Sequence, residues 1–189
     1  MQQAPLLPIS PEDYLRGERD GDVRHEYVDG QVYAMAGAGE NHNIIALNIA
    51  TELRRAARGT DCRAFISDMK LRLAELNRFY YPDILLACDP DDNNAYFKEH
   101  PCLIVEVLSP STEATDRREK LHAYQQIASL KEYVLVSQEA QRIELYRRSE
   151  DHWQYYLLDD PADILQLECL DLALGMGVVY EDVFELQEQ

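Results

Sequence analysis

Positive charge is scarce in this chain of 189 residues, which has 18 Lys and Arg against 35 Asp and Glu and a formal net charge of −17. This balance counts against a nucleic-acid partner, because proteins gain affinity for DNA largely by neutralising phosphates. The deficit is uneven: residues 159–189 hold nine acids and no Lys or Arg, whereas residues 52–158 hold eighteen acids and fifteen bases. We therefore expect the acidic end to lie away from any site in the nearly balanced middle.

Several familiar signals are also missing. No apolar run approaches the ~20 residues that cross a bilayer, and the first residues show no basic segment followed by an apolar one, so we expect a cytoplasmic protein without a membrane partner. No G-x-G-x-x-G and no P-loop occurs, which leaves nucleotide cofactors without support. None of the four cysteines forms a Cys-x-x-Cys pair, and we expect all of them to be reduced thiols in the core: Cys62, Cys88, Cys102 and Cys169.

The hydrophobic pattern predicts one domain over residues 1–189, with mixed helices and strands. Ser10-Pro11 is typical of a helix start, and Asp29-Gly30 between two alternating arms predicts a hairpin. A helix is predicted over 41–58, with Asn41 as its cap and Gly59 as its stop. Further segments predict strands at 62–73, 79–88, 102–108, 131–137, 141–147 and 151–158, a helix from about 109 to 129, and an apolar C-terminal end.

This order predicts an α/β (α+β) fold with a mixed sheet flanked by helices, an extra N-terminal hairpin and extra C-terminal strands. It is not the order of a doubly wound nucleotide-binding fold.

Glu106 is the most unusual residue in this pattern. It lies inside Cys-Leu-Ile-Val-Glu-Val-Leu, which is typical of a buried central strand. A buried carboxylate without a partner costs several kcal/mol or takes up a proton. The compensating partner is a metal ion, an arginine or a backbone donor; a metal-ligand role is our preferred hypothesis, and a buried salt bridge is the alternative.

Asp83 and Lys120 complete a possible site. Asp83 follows Pro82 in the preceding predicted strand, where an ordinary edge or turn residue is the alternative. Lys120 lies on the helix after the Glu106 strand, where a simple i, i+4 pair with Asp116 is the alternative. Together, two carboxylates on adjacent strands can hold Mg²⁺ or Mn²⁺, and a nearby lysine can stabilise charge on a phosphate. This combination predicts phosphodiester hydrolysis.

The chain resembles the PD-(D/E)XK superfamily of restriction-endonuclease-like nucleases over nearly its whole length. The resemblance rests on Pro82-Asp83, on Glu106 in the next strand, and on the stretches RHEYVDGQVYAMAG, YYPDILLACDP, LIVEVLSPST and DRREKLHAYQQI. It implies a core of helix, three strands, helix and strand. It also implies a metal-dependent endonuclease with Asp83 and Glu106 as metal ligands and Lys120 as the catalytic lysine.

The chain departs from the common motif at one position. The motif has lysine two residues after the glutamate, where this chain has Leu108, and in the branch that it resembles the lysine lies on the following helix, as Lys120 does. Glu26 and His42 fall in stretches that resemble the family, and Asp68 could face the site from a neighbouring strand; these three are second-tier candidates.

Three functions remain open on sequence grounds. The first is a Mg²⁺- or Mn²⁺-dependent endonuclease acting on DNA, although the charge makes binding weak. The second is a non-catalytic protein of the same fold that binds nucleic acid or a protein. The third is a structural homodimer formed through the apolar C-terminal segment. For the first, we expect a basic rim around the cleft drawn from Arg54, Arg55, Arg58, Arg63, Lys70, Arg72, Arg117 and Arg118.

Overall fold

The computed structural model describes residues 8–35 and 37–184. Its helices are α1 (Pro11–Asp20), α2 (Glu40–Ala56), α3 (Glu113–Thr115), α4 (Leu121–Tyr124) and α5 (Met176–Val179), with a 3-10 turn at Ala74–Leu76 and a π-helical turn at Asp116–Lys120. Its strands are β1 (His25–Val28), β2 (Gln31–Ala34), β3 (Arg63–Ile66), β4 (Lys70–Leu73), β5 (Arg78–Tyr80), β6 (Ile84–Ala87), β7 (Phe97–Lys98), β8 (Pro101–Leu108), β9 (Glu132–Ser137), β10 (Ile143–Ser149), β11 (His152–Leu158), β12 (Ile164–Leu167) and β13 (Leu172–Gly175).

The larger sheet has six strands in the order β11-β10-β9-β8-β6-β3. Strands β8 and β9 are parallel, because the helical segment 113–124 crosses over between them, and the other pairs are antiparallel. Strand β8 is buried along its whole length. The predicted mixed sheet with its order of helix, three strands, helix and strand is confirmed.

The two faces of this sheet build two separate cores, as the alternation of side chains along a strand requires. On β8, Leu103, Val105 and Val107 pack with α2 and with the C-terminal segment. Ile104 and Leu108 face the other way and pack with α4 and the smaller sheet. Glu106 shares the parity of Ile104 and Leu108, so its carboxylate enters the second face.

A second sheet of five strands, in the order β2-β1-β5-β4-β7, was not predicted. The segments 62–73 and 79–88, expected to be single strands, each divide between the two sheets. The two points where these segments leave one sheet for the other are adjacent in space. Ser67 adopts a left-handed conformation with φ 42°, and its N–H donates to the carbonyl of Asp83 at 3.0 Å. Strands commonly change sheets at such bends, and Pro82 lacks the N–H that would continue the ladder.

The local start and stop signals are largely confirmed. Ser10 accepts a hydrogen bond from the N–H of Asp13 at 3.1 Å, and Asp29 and Gly30 both have positive φ, as a two-residue hairpin of type I′ requires. Asn41 is not the cap of α2: the helix begins at Glu40 after Gly39, and the side chain of Asn41 donates instead to the carbonyl of Gln138.

The helix after β8 ends earlier than the predicted residue 129. Its last α-helical residue is Tyr124. The guanidinium of Arg148 then binds the carbonyls of Gln125, Ile127 and Leu130, each at 2.8 Å. This arginine satisfies acceptors that a helix end leaves open, so the chain can turn into β9 without continuing the helix.

The four cysteines form two disulfide bonds, Cys62–Cys88 and Cys102–Cys169. The expectation of four reduced thiols is therefore wrong. The first bond joins the start of β3 to the end of β6, which are adjacent strands, and the second joins β8 to the turn between β12 and β13. Sequence spacing did not indicate these pairs, because the partners are 26 and 67 residues apart.

Within residues 8–35 and 37–184, none of the helices combines the length and the apolar character needed to cross a membrane.

Candidate active site

The site forms where the chain passes from the smaller sheet into the larger one. Asp83 lies immediately before β6, and β6 pairs with β8 in the register Ile84↔Val105. This register brings Asp83 next to Glu106: the N–H of Asp83 donates to Glu106 Oε2 at 3.2 Å, and the N–H of Val107 donates to Asp83 Oδ2 at 2.7 Å. The Glu106 carboxylate is thus fixed by the backbone of Asp83, and the Asp83 carboxylate by the backbone of Val107.

Lys120 reaches this pair from the helical segment 113–124. Its Nζ lies 3.2 Å from Glu106 Oε1, 3.1 Å from Glu26 Oε1 and 3.1 Å from Asp116 Oδ1. The expected convergence of Asp83, Glu106 and Lys120 is confirmed. A lysine on the following helix therefore meets the glutamate even though Leu108 occupies the usual lysine position.

A π-helical turn at Asp116–Lys120 directs the lysine inward. Such turns occur mostly as short insertions in α-helices and are frequent at functional sites. Here the turn buries both of its ends: Asp116 is 2% exposed and Lys120 is 5% exposed, although a surface helix would leave an i, i+4 ion pair in solvent. The alternative of an ordinary surface pair between these residues does not describe the structure.

The buried charges are strongly perturbed. Burial raises the pKa of Glu106 well above its usual value; the charge of Lys120 opposes this effect, and the neighbouring carboxylates reinforce it. Burial lowers the pKa of Lys120, but the charges of Glu106, Glu26 and Asp116 outweigh it and leave that pKa well above its usual value. Three carboxylates thus lie within 3.2 Å of one ammonium group, and Asp83 adds a fourth beside Glu106.

Two further contacts complete the description of the cluster. Asp116 Oδ1 is buried and accepts no hydrogen bond from the described residues, although Lys120 Nζ lies near enough for an ion pair. Tyr124 also contributes, because its hydroxyl donates to Glu106 Oε1 at 3.0 Å. Tyr124 follows Lys120 at i, i+4 spacing, which predicts only that the two share a helical face. Its role as a donor could not be inferred without knowing which face of the sheet the helix covers.

Two of the three second-tier candidates belong to this site. His42, in the first turn of α2, places Nε2 3.1 Å from Asp83 Oδ2. Glu26, on β1, contacts Lys120 and also accepts a hydrogen bond from the N–H of Tyr81 at 3.4 Å. Asp68 lies elsewhere: its side chain is 79% exposed and pairs with Arg24 at 3.3 Å.

His42 is held by opposing effects. Burial lowers its pKa, but the hydrogen bond and the charge of Asp83 outweigh this, so that the pKa is raised.

These residues form the floor of an open cleft of about 460 Å³. Glu26, His42, Asp83, Glu106, Asp116 and Lys120 line it. The other lining residues are uncharged, and they include Gly37, Ala38, Gly39, Asn43, Ser109, Ser111, Thr112 and Thr115.

The expected basic rim is wrong. Among the described residues, no arginine lines the cleft. Arg54, Arg58 and Arg63 line a separate cavity, and Arg117 pairs with Glu113 and Glu144. The prediction that the acidic C-terminal segment lies away from the cleft is confirmed for residues 159–184, none of which lines the cleft. The Arg and Lys side chains of the middle segment are thus distributed over several surfaces.

The donor set suits a divalent ion only in part. Within residues 8–35 and 37–184, no three or more His, Cys, Asp or Glu side chains form a group that could hold an ion by themselves. Mg²⁺ is commonly held by one or two carboxylates, with water and substrate phosphate in its other positions. Asp83 and Glu106 offer that number, and Asp83 Oδ1 accepts no hydrogen bond from the described residues. The two carboxylates thus meet the minimum for the ion that the resemblance implies, with its other positions left to water and substrate.

Comparison with known proteins agrees with this architecture. Residues 11–177 match the model of the Uma2 family, described as "Putative restriction endonuclease". Two similar proteins come from Synechocystis sp.: uncharacterized protein slr1290 is 38% identical over 178 residues, which cover 94% of each chain, and uncharacterized protein sll1609 is 32% identical over 163 residues, which cover 85% of this chain and 92% of that one.

A solved structure has the same fold. The crystal structure of a "putative nuclease belonging to DUF820" from Anabaena variabilis superposes with a TM-score of 0.73, covering 92% of this chain and 98% of that chain, at 17% sequence identity.

Proposed function

The chain belongs to the Uma2 family of restriction-endonuclease-like proteins, and from this premise we propose that it is a metal-dependent endonuclease that hydrolyses phosphodiester bonds in DNA. The observation that carries the proposal is the convergence of Asp83, Glu106 and Lys120 on the floor of one open cleft. Asp83 and Glu106 would hold Mg²⁺ or Mn²⁺. When bound, such an ion supplies an activated water and stabilises the charge that develops on the phosphate.

The protein's own residues keep the two carboxylates in position. Lys120 and Tyr124 both donate to Glu106 Oε1, which leaves Oε2 directed towards Asp83. His42 and the N–H of Val107 bind Asp83 Oδ2, so Oδ1 is the oxygen available to the cleft. Rigid placement of this kind supplies much of the catalysis in phosphoryl transfer, because little of the reorganisation remains to be done during the reaction.

Lys120 has a second role in this proposal. Its ammonium group balances part of the negative charge of Glu26, Glu106 and Asp116. Without it, the repulsion between those carboxylates and a phosphate would oppose substrate entry into the cleft. The positive charge also lowers the cost of the charge that develops on the phosphate.

A cleavage assay tests the proposal. Purified protein should nick supercoiled plasmid DNA with added Mg²⁺ or Mn²⁺ and should not do so with a chelator. Asp83→Asn and Lys120→Met should each lower the rate by at least about 100-fold, the size expected for removing one electrostatic contribution. Asp151→Asn is the control, because Asp151 is an exposed residue in the turn before β11.

A second candidate is a non-catalytic binding protein of the same fold. The neutral rim favours it, because in the described part of the chain the cleft presents no arginine to a phosphate backbone. Metal-stimulated DNA binding without any cleavage would support this candidate. Equal cleavage by wild type and Asp83→Asn would indicate a contaminating nuclease and contradict the proposed active site.

A further inference from the structure

Lys70 is a buried lysine that the active site does not use. It begins β4 and is 7% exposed. No carboxylate of the described residues lies within 4 Å of its Nζ. The Nζ instead lies over the ring of Tyr81, 5.2 Å from the ring centroid. The ammonium group of Lys70 keeps contact with solvent and is therefore accessible to an anion. A buried ion pair would be the ordinary explanation for a buried lysine, and Lys70 forms none within residues 8–35 and 37–184.

Lys70 opens into a cavity of about 310 Å³ that is separate from the active-site cleft. Two arginines line the same cavity: Arg19, whose guanidinium stacks over Tyr96 at 4.5 Å, and Arg24. Two carboxylates also line it, but both are already occupied. Asp68 pairs with Arg24 at 3.3 Å, so these two charges offset each other and leave Arg19 and Lys70 as the cations without a paired carboxylate in the cavity. Glu18 accepts from the hydroxyl of Tyr81 at 2.7 Å and contacts His25 at 3.0 Å.

The electrostatics agree with this geometry. Burial lowers the pKa of Lys70, and the charges of Arg24 and Arg19 lower it further against the opposing effect of Glu18 and Asp68. Three basic side chains line the cavity against two carboxylates, which is a local excess of positive charge in a protein with a net charge of −17. An anion in this cavity would restore the balance.

The cavity adjoins the active-site cleft. Tyr81 lines the cleft, and its ring forms the surface over which Lys70 lies. Ser67 lines the cleft and the next residue, Asp68, lines the cavity. One aromatic ring and one turn thus separate them, so a strand with one phosphate in the cleft passes near the cavity with another part of its backbone.

We propose that the cavity formed by Arg19, Arg24 and Lys70 is a phosphate-binding site, which holds a second phosphate of the strand that lies in the active-site cleft. This inference rests on the proposed function, because that function supplies the DNA strand. The site would supply the positive charge that the rim of the cleft lacks.

Lysine NMR tests the site in the unmodified protein, because the chain has only the lysines Lys70, Lys98, Lys120 and Lys131. Inorganic phosphate, and separately a short single-stranded oligonucleotide with a chelator present, should shift the side-chain signal of Lys70 and raise its pKa. The signal of exposed Lys131 should not change. A Lys70 signal unaffected by both ligands overturns the inference. A response to inorganic phosphate alone overturns its assignment to the substrate strand.

Variants give an independent measurement. Lys70→Met should weaken oligonucleotide binding about 10-fold, as expected for one charge-assisted contact, and should reduce the salt dependence of binding by about one phosphate contact. Lys70→Arg should retain binding, and Lys131→Met is the matched control. Thermal melting of each variant verifies folding.

The results separate this inference from the proposed function. Plasmid cleavage with no response of Lys70 refutes the phosphate site and leaves the nuclease intact. A phosphate and oligonucleotide response without cleavage supports the site and refutes the nuclease.

Discussion

Glu106 and Glu132 are buried glutamates on adjacent parallel strands, β8 and β9, yet their surroundings differ. Glu132 is fully buried and completely paired. Its Oε1 accepts from Arg147 Nε at 3.1 Å and Nη2 at 2.9 Å, and from the N–H of Glu168 at 3.1 Å, while its Oε2 accepts from the N–H of Cys169 at 3.2 Å. The buried carboxylate faces a whole guanidinium, each of its oxygens has a donor, and the other acid on Arg147, Glu168, is exposed.

Glu106 is in the opposite situation. It shares the ammonium group of Lys120 with Glu26 and Asp116, and Asp83 adds a further carboxylate beside it. The difference shows that a buried acid in a central strand does not by itself indicate a functional site. An excess of like charge does, because stability alone gives no reason to bury several carboxylates around one cation.

The largest loss of stability should follow from breaking the ion pair between Glu132 and Arg147. Glu132→Gln leaves the guanidinium of Arg147, which is 15% exposed, without its buried counter-charge. We expect the free energy of unfolding to fall by ~3–5 kcal/mol, as for removal of one partner of a buried pair. Urea unfolding measures this change.

Glu168→Gln is the matched control for that variant. Glu168 contacts the same arginine at 3.3 Å, but its side chain is 57% exposed. Its loss should cost less than about 1 kcal/mol. Equal effects of the two substitutions would contradict the comparison.

Reduction of Cys102–Cys169 should give the next largest effect. This bond closes a separation of 67 residues beside Glu132, whose carboxylate binds the N–H of Cys169. Loss of a disulfide of this span typically costs about 2–4 kcal/mol. Unfolding of Cys102→Ser/Cys169→Ser should show that loss, while metal binding at the other glutamate stays unchanged. A weakened metal affinity would show that the two regions are coupled.

The sequence predicted the parts of the site that depend on local pattern. The apolar run around Glu106 predicted a buried strand, and the i, i+4 spacing of Asp116 and Lys120 placed that lysine on the following helix. The hairpin turn at Asp29-Gly30 followed from backbone chemistry. These features need no knowledge of distant contacts.

The remaining features depend on contacts between distant segments. Strand periodicity continues across the bends at Ser67 and Pro82, so it could not reveal that both strands pass into a second sheet. The partner of Glu132 is Arg147 on the neighbouring strand, and no local pattern distinguishes that pair from the imbalance at Glu106. The π-helical turn that buries Lys120 has no sequence signal that we could identify.

Glu106→Gln should change stability less than either preceding change. Lys120 retains Glu26 and Asp116 as counter-charges, and the substitution removes one charge from a cluster that has too many. We expect the free energy of unfolding to change by less than about 1 kcal/mol, because no buried cation is left unpaired. Binding of Mn²⁺, measured by calorimetry, should be lost.

Glu113→Gln is the control for Mn²⁺ binding, since Glu113 is exposed and pairs with Arg117 outside the cleft. Destabilisation of Glu106→Gln as large as that of Glu132→Gln would mean that Glu106 is also a structural ion pair, and the comparison would fail.

The smallest effect concerns His42, at the edge of the cluster. Asp83 raises its pKa in the folded protein, and Asp116 and the backbone at Val107 act in the same direction. A raised pKa in the folded state means that protonated His42 contributes stability fully below its unfolded pKa of about 6.5, and that this contribution disappears as the pH rises through the folded pKa. With a chelator present, the difference in unfolding free energy between wild type and His42→Gln should therefore be larger at about pH 5.5 than at about pH 9, by no more than about 1 kcal/mol. His152→Gln, an exposed histidine on β11, should show no such trend. A difference that is independent of pH would mean that the Asp83–His42 contact does not depend on the charge of the imidazole. The excess negative charge of the cluster would then have no effect on His42 in α2.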